Sequence, residues 1–593
     1  MRPRPNYTRP VIALYRLLRN LFFLPFWPLW LGLRYLTRPK GTAVMLKLEK
    51  RIVPILPAKR WFRDLIRSFN GQTDPTSLTD VTRLADLIAG DALIKSVLVR
   101  IAPLEIGWAT ACGLRRELEK LTTAGKRVVA YLPEGGGNGE LFIATAASEI
   151  VISPQATFGP LGLAASIRYL KPLLDKVGIG VEVEARREFK TAAEPALRSE
   201  MSDAQRLQTT ALMTAMDSAL RAAITQRGAN PAEVIDHAII RGQDAISLKL
   251  VDRLCYDDEL AQLLTGKSDG SMIDAYDYVD HRESRYFQAL RRAPYVAVIR
   301  VDGAIVSTAP KFRSPGKSVA DQKSIIGALR RVARDRRALG VVLYVNSPGG
   351  SALASDLIHR EVALVNKKKP VVACFGQVAA SGGYYIAAPA RSIVAESLTI
   401  TGSIGVIMAK VVAVELTKRL GVNTDTIRLS PHADMFSTDR NLTEKEREIL
   451  AREADSFYRA FVDIVAEGRG RSFEEIEPLA RGRVWAGGDA SERGLVDELG
   501  GLDTALRKVK DELKDLPEKK KKRLKLRPIG PPRSSTPPPL SDAAAEAAGL
   551  VSQAHPGAAI AMRLAPELFT LMELADSRDR ALYYAHDLPT VEC

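Results

Sequence analysis

The sequence predicts an α/β protein of two homologous lobes, residues 41–285 and 286–510, each with mainly parallel strands wrapped by helices. Two observations carry this. The chain repeats itself. Residues 127–165 (RVVAYLPEGGGNGELFIATAASEIVISPQATFGPLGLAA) align without a gap with residues 370–408 (PVVACFGQVAASGGYYIAAPARSIVAESLTITGSIGVIM) at a constant offset of 243. Val128, Val129 and Ala130 meet Val371, Val372 and Ala373; Gly139 meets Gly382; Gly159 and Gly162 meet Gly402 and Gly405. Residues 97–103 and 239–252 align with 342–348 and 484–497 at offset 245. A period this long means two domains rather than a solenoid. The second observation is alternation. Continuously apolar strand-like runs are separated by amphipathic helical ones, the pattern of a parallel sheet covered on both faces.

The elements follow in order. TAVMLKLEKRIV (42–53) and PYVAVIRVDGAIV (294–306) read as the strands that open the lobes. In the second lobe, 324–337 has helical periodicity and GVVLYV (340–345) is a buried strand. ALASDLIHREVALV (352–365) is a helix and PVVACF (370–375) a second buried strand. A helix opens at 381 and SIVAES (392–397) is a short strand. Helices are expected at 203–227 and 443–468. After residue 513 the character changes: 511–540 is basic and proline-rich and reads as a linker. Residues 541–593 form a C-terminal extension, whose alanine- and leucine-rich part, 541–582, reads as one or two helices.

The first 40 residues read as a membrane anchor. Residues 21–33 carry no charge, but thirteen helical residues cover only ~20 Å against a hydrocarbon core of ~30 Å. Arg16, Arg19 and Arg34 extend the segment to 11–36 if they snorkel, and Trp27 and Trp30 suit an interface. Pro25 and Pro28 break a straight span, so a hairpin or an interfacial helix is the alternative. Basic residues flank both sides, so orientation is not fixed by charge.

Composition narrows the chemistry. The 593 residues are 46% hydrophobic and 26% charged, with a net charge of +16, an ordinary globular composition apart from basic clusters at both ends. Those clusters suit an anionic lipid surface or nucleic acid, and the second reads equally well as a solvated tail; lipid is the partner expected, and no nucleic acid. Cys112, Cys255, Cys374 and Cys593 have no metal or redox spacing, and the six histidines form no HxH or HExxH motif. No metal site, disulfide framework or cofactor is expected.

Two glycine-rich turns attract attention. In VNSPGGSA (345–352) a buried strand ends and two glycines precede a helix. Glycines let backbone N–H groups face outward, where they stabilise an oxyanion; a plain strand–helix turn explains the same residues equally well. In VAASGGYYIAA (378–388) a strand ends at Ser381, which is either a helix N-cap or a nucleophile with Gly350 and the N–H of Gly382 as a two-donor oxyanion hole. The first repeat tips the balance. Asn138 stands opposite Ser381 and Leu104–Glu105 opposite Gly349–Gly350, so the serine and the glycine pair were lost together, as one reaction requires. Asn138 is then a silent counterpart whose removal should be harmless.

A serine needs a base, and neither glycine-rich segment holds a histidine. Lysine serves if desolvation lowers its pKa. Lys190 sits among small and apolar residues in EARREFKTAAEPA (184–196), although by spacing alone it reads as a surface lysine.

At this point the motifs converge. AASGGYYIA, TGSIG, VNSPGG, GRVWAGGDASERGLVDELG and FKTAAEP together resemble the signal peptide peptidase A (protease IV) family in its long, duplicated form, over residues 40–510. The resemblance implies a crotonase/Clp-protease fold and a membrane-associated serine endopeptidase. Its substrates would be cleaved signal peptides or similar apolar extended peptides. It implies Ser381 as nucleophile, Lys190 as general base, Gly350 and Gly382 as oxyanion donors, and Ser403 orienting the lysine. Ala379, Ala380 and Gly383 would leave room for a bound strand. The precedent places the body on the periplasmic side of the inner membrane, and a homo-oligomer is expected; whether serine and lysine come from one chain stays open. The proline-broken anchor and the extension past 513 depart from the family pattern.

Rival readings are weaker. A crotonase-type acyl-CoA enzyme needs no serine nucleophile, and a non-catalytic membrane scaffold needs neither motif. Ser314 and Lys317 fit Ser-x-x-Lys, but no SDN or KTG follows. The GKS triplets at 266–268 and 316–318 have Ala261 and Lys311 where a phosphate loop has glycine.

Overall fold

A computed structural model describes residues 8–38, 41–56, 76–267, 271–284, 286–287, 293–308, 318–530 and 581–584. Each half builds its sheet from the same strands in the same order. The first sheet runs Ala43–Lys50, Ser96–Leu104, Arg127–Leu132, Glu149–Ile152, Arg253–Leu254, all parallel. The second runs Tyr295–Asp302, Ala338–Ser347, Val371–Ala380, Ser392–Ala395, Glu498–Leu499, again all parallel. The strands are the apolar runs read from sequence, and most of their residues are fully buried, because helices cover both faces of such sheets. The expected helices appear as Gln322–Arg334, Ala352–Asn366, Asp203–Gln226 and Glu444–Arg469.

The halves are stitched together. Leu398, Ile400, Val484 and Ala486 of the second half belong to the first half's hydrophobic core. Arg116 of the first half pairs with Glu396 and, at 3.0 Å, with Asp503. The seam that matters most is a sheet edge: Gly180–Arg186 pairs antiparallel with Val406–Val412, from Arg186 opposite Val406 to Gly180 opposite Val412.

Two expectations need correction. The transmembrane span is not supported: among the described residues no helix is long and apolar enough to cross a membrane. Helix Thr8–Phe23 ends in a 3-10 turn, Leu24–Phe26, before helix Trp27–Leu36. Pro25 and Pro28 stand at the starts of the turn and of the second helix, where a missing N–H is tolerated but a continuous helix is not. Ten helical residues reach only ~15 Å. Arg34 does not snorkel; it donates to the carbonyls of His281 and, at 3.1 Å, Ser284. Tyr286 reaches the Phe23 carbonyl at 2.6 Å and stacks near Trp30.

Of the linker expected at 511–540, the described part, 511–530, is packed onto the second half. Leu526–Pro528 adds a parallel strand beside Val296, Ala297 and Val298, as Ile273–Asp274 does beside Val44 and Met45 in the first half. In KRLKLRP the leucines alternate with cations, and Leu524 is 2% exposed, so this basic run is amphipathic rather than merely solvated. The helices expected over 541–582 fall outside the described residues up to 580, and Ala581–Tyr584 is a strand.

Candidate active site

Strand Val371–Ala380 ends at Ser381, and helix Gly382–Ala387 starts immediately after it. The turn is sharp: Ser381 has φ 54° and ψ −120°, a conformation that costs a non-glycine residue on the order of 1–3 kcal/mol. Ser381 N–H donates to the Gly402 carbonyl at 2.8 Å and its own carbonyl accepts from Tyr385. Its hydroxyl therefore does not cap the helix. Gly382 admits no side chain, because a Cβ there would stand 2.6 Å from Ser355 Oγ and 3.3 Å from the amide nitrogen of Gly350. Gly350, at φ 149°, lies so close to Ile305 that a Cβ would meet its carbonyl oxygen at 2.1 Å. The two expected oxyanion donors are thus neighbours beside Ser381.

Lys190 arrives from the other half. Strand Gly180–Arg186 hydrogen-bonds to Val406–Val412, and the chain then turns so that Lys190 Nζ lies 2.9 Å from Ser381 Oγ. The same nitrogen lies 2.9 Å from both the carbonyl oxygen and the hydroxyl of Ser403. Serine and lysine belong to one chain. Ser381 is 0% exposed, Ser403 3% and Lys190 5%. Loss of water is the cause of the lysine's shift, holding its pKa well below the usual lysine value. The group hydrogen-bonded to the Ser381 hydroxyl is an amine, not a histidine.

Three residues to which the sequence assigns no role at the site, Gly482, Gly405 and Gln208, hold Lys190 in place. Gly482 (φ 79°) backs directly onto it: a Cβ there would stand 2.6 Å from the Lys190 nitrogen and 2.7 Å from its Cβ. Gly405 closes in from the other side, since its Cβ would lie 3.0 Å from the Gly482 Cα. Gln208, on helix Asp203–Gln226, donates to Thr191 Oγ1 at 2.7 Å and to the Phe189 carbonyl at 3.3 Å, and accepts from Val484 N–H. It fastens both neighbours of the lysine to the second half. Gly482 opens the GRVWAGG motif, so its importance was signalled; its contact with Lys190 was not.

The first repeat has its counterpart closed. Asn138, 3% exposed, donates to the Gly162 carbonyl and accepts from the Gly162 N–H, both at 2.9 Å. Glu140 stands where the second half has Gly383. Its carboxylate accepts from Leu104 N–H at 2.8 Å and Gly137 N–H at 2.9 Å. Leu104 is the counterpart of Gly349, so a negative charge lies beside the turn that in the second half carries Gly350. Ser314 and Lys317 lie outside the described residues.

Asn138→Ala is therefore not harmless to the fold. It strands the Gly162 N–H and carbonyl and should lower unfolding free energy by about 1–3 kcal/mol, while activity per folded molecule stays at the wild-type level. Denaturant unfolding beside a peptide-cleavage assay checks both halves of that statement. Gly482→Ala should do the reverse. Displacing the lysine by about 1 Å should cost about 100-fold in turnover, with circular dichroism unchanged; wild-type turnover in a folded Gly482→Ala protein would mean that this approach does not position the lysine.

Comparison with known proteins agrees with the geometry. The family model described as peptidase family S49 matches residues 120–269 and 363–516, one match in each half, and a Clp protease model matches residues 316–400. The chain is 31% identical over 463 residues to the chloroplastic serine protease SPPA of Arabidopsis thaliana, covering 76% of this chain and 68% of that one. It is 32% identical over 412 residues to Protease 4 of Salmonella typhi, covering 66% and 65%. It is 29% identical over 472 residues to Protease 4 of Haemophilus influenzae, covering 76% and 75%. With the family model matched in both halves of a duplicated, Clp-protease-like α/β fold, the chain belongs to peptidase family S49, a serine peptidase by that membership.

Proposed function

We propose that this chain is an endopeptidase working through a Ser381–Lys190 dyad on extended apolar peptides, cleaved signal peptides among them, at a membrane surface. One observation carries the reading: the 2.9 Å contact between a buried, desolvated amine and a buried serine hydroxyl. An ordinary lysine, with pKa ~10.4, is neutral in only about one molecule in two thousand at pH 7. Burial removes that obstacle. A neutral amine has two N–H groups and one lone pair. Both N–H groups can be taken by Ser403, through its carbonyl and its hydroxyl. The lone pair then faces the Ser381 hydroxyl, as a general base requires.

The reaction follows from that arrangement. Lys190 takes the Ser381 proton as Oγ attacks the peptide carbonyl carbon. The N–H groups of Gly350 and Gly382 receive the oxyanion. The ammonium so formed gives its proton to the leaving amine as the C–N bond breaks, and an acyl ester remains on Ser381. Lys190, neutral again, takes a proton from water, the hydroxide attacks the ester, and Ser381 recovers its proton as the acid product leaves. A crotonase-type reading leaves this amine without a task.

The membrane part of the proposal rests on the N-terminal helices. Leu14, Leu18, Leu21, Phe22, Leu29, Leu33 and Leu36 are exposed, beside Arg16 and Arg19, a composition suited to lying in an anionic interface. We place that surface on the extracytoplasmic face of the inner membrane. Co-sedimentation with anionic vesicles should fall about tenfold or more in a Leu18→Asp, Phe22→Asp double variant; unchanged sedimentation would remove the helices from membrane binding.

Ser381→Ala and Lys190→Ala should each abolish peptide cleavage in a folded protein. Lys190→Arg should fail too, because guanidinium does not deprotonate; activity in that variant defeats the dyad. Wild-type activity should rise with pH through the lowered lysine pKa. Stability gives an independent sign. Between that lowered pKa and ~10.4 the unfolded chain binds a proton here and the folded chain does not. This group's contribution to stability therefore rises with pH, by about 1.4 kcal/mol per unit. Lys190→Met should abolish that slope and raise stability at pH 7 while eliminating turnover.

A further inference from the structure

The run GRVWAGGDASERG holds two arginines whose charge the reaction does not use, Arg483 and Arg493. Strand Val484–Ala486 pairs antiparallel with Ile400–Gly402, which sets Val484 opposite Gly402. Arg483, just before that strand, is therefore level with the turn that carries Ser403. Its carbonyl accepts the Ser403 N–H at 2.6 Å. Ser403 needs such an anchor, because its φ of 50° lies in the left-handed region, which a residue with a Cβ adopts only at a cost.

The Arg483 side chain reaches the lysine's own loop. Its guanidinium carbon lies 5.1 Å from the centre of the Phe189 ring and 4.2 Å from the Trp485 ring. Arg493 lies against Trp485 as well, at 4.3 Å. Trp485 is buried, and its indole N–H donates to the Leu479 carbonyl at 3.0 Å, so the stack has a fixed base. Among the described residues Arg483 Nε is buried without a hydrogen-bond partner. Loss of water, with the nearby Arg493 charge, holds the Arg483 pKa below the usual arginine value. A cation that loses water needs compensation, and aromatic faces supply it, more strongly the drier the contact.

Arg483 thus touches both supports of the Lys190 amine. Its backbone holds Ser403, whose carbonyl and hydroxyl take the amine's N–H groups. Its side chain holds Phe189, the residue joined to the lysine. We propose that Arg483 is a positioning residue of the dyad: clamped between Phe189 and Trp485, it fastens the lysine's loop to the Ser403 turn and keeps water from the amine. The inference rests on the dyad reading above and deepens it. Arg483 acts through Phe189 and Ser403 rather than on the reacting atoms. A guanidinium suits the task because it stays charged at every working pH, so the clamp does not titrate where the lysine does.

The consequence is read in pH. Only the neutral amine takes the serine proton, and burial is what lowers its pKa. Loosening the clamp admits water, and the lysine pKa moves back up toward its ordinary value. A rise of about one unit lowers kcat about tenfold on the acid side of the limb, and the loss fades on the alkaline side. A residue that served only the fold would lower activity at every pH and leave the limb in place.

The test uses the full chain with Arg483→Met, which keeps a long side chain beside both rings and removes the charge. The acid limb of kcat should move about one unit to higher pH, with KM within about twofold of wild type. Phe189→Leu removes the ring on the other side of the contact. It should move the limb likewise, and it carries the test if Arg483→Met does not fold. Because both act through one contact, the double variant should move the limb no further than either single variant. An unmoved limb in a folded single variant, or shifts that add in the double variant, overturns the proposal. A second arm needs no catalysis. In a Ser381→Ala background with lysine labelled with 13C at Cε, the Lys190 signal should titrate about one unit higher when Arg483→Met is added. Equal midpoints overturn the clamp. A raised midpoint in this arm with no peptidase activity in wild type leaves the clamp standing and removes the dyad reading instead.

Discussion

The structure depends on keeping one lysine amine dry against one serine hydroxyl. Lys190 has to travel from the first half to Ser381 in the second, 191 residues away in sequence. The antiparallel seam between Gly180–Arg186 and Val406–Val412 delivers it. Gly405 and Gly482 let three stretches of backbone close around it with no room for a Cβ, and Gln208 ties its flanks across the boundary. Two of these features cost something: a strained turn at Ser381 and a desolvated amine. Neither has an evident use in holding two lobes together, which hydrophobic burial and the Arg116 pairs do without strain.

Duplication explains why the molecule tolerates this arrangement once and not twice. Both halves inherit a strand, a glycine-rich turn and a short helix at the same place in the same sheet order. In the first half the polar backbone groups at that place are satisfied internally, by the Asn138 amide and the Glu140 carboxylate. Buried polar groups without partners are costly, so the copy that lacks the serine and the glycine pair is expected to close. The second half keeps glycines where the first has Leu104, Glu105 and Glu140, and thereby keeps space and backbone donors beside Ser381.

Much of this was legible in the sequence. The 243-residue offset and the continuously apolar strands specify two parallel-sheet lobes because periodicity and burial are local properties of the chain. Ser381, Lys190, Ser403, Gly350 and Gly382 were all named beforehand, and the structure brings them together. What stayed hidden was set by tertiary contact. No spacing links Gly482 to Lys190 or Gln208 to Val484. The strand at Leu526–Pro528 was masked by its lysines, since charge dominates composition even when leucines alternate beneath it. The tail strand Ala581–Tyr584 carries no pattern of its own. At the N-terminus hydropathy suggested a span, but the prolines and the Arg34 contacts decide the geometry.

The protonation of Lys190 is the most direct test of the proposed chemistry. The protein can be labelled with 13C at lysine Cε and titrated by NMR, with the Lys190 signal assigned by its disappearance in Lys190→Met. A midpoint well below ~10.4, shifted further when Ser403→Ala removes one partner of the amine, is the result expected of a buried general base. A Lys190 signal that titrates near ~10.4, like the exposed lysines, would mean that the amine is a cation at working pH and does not take the Ser381 proton.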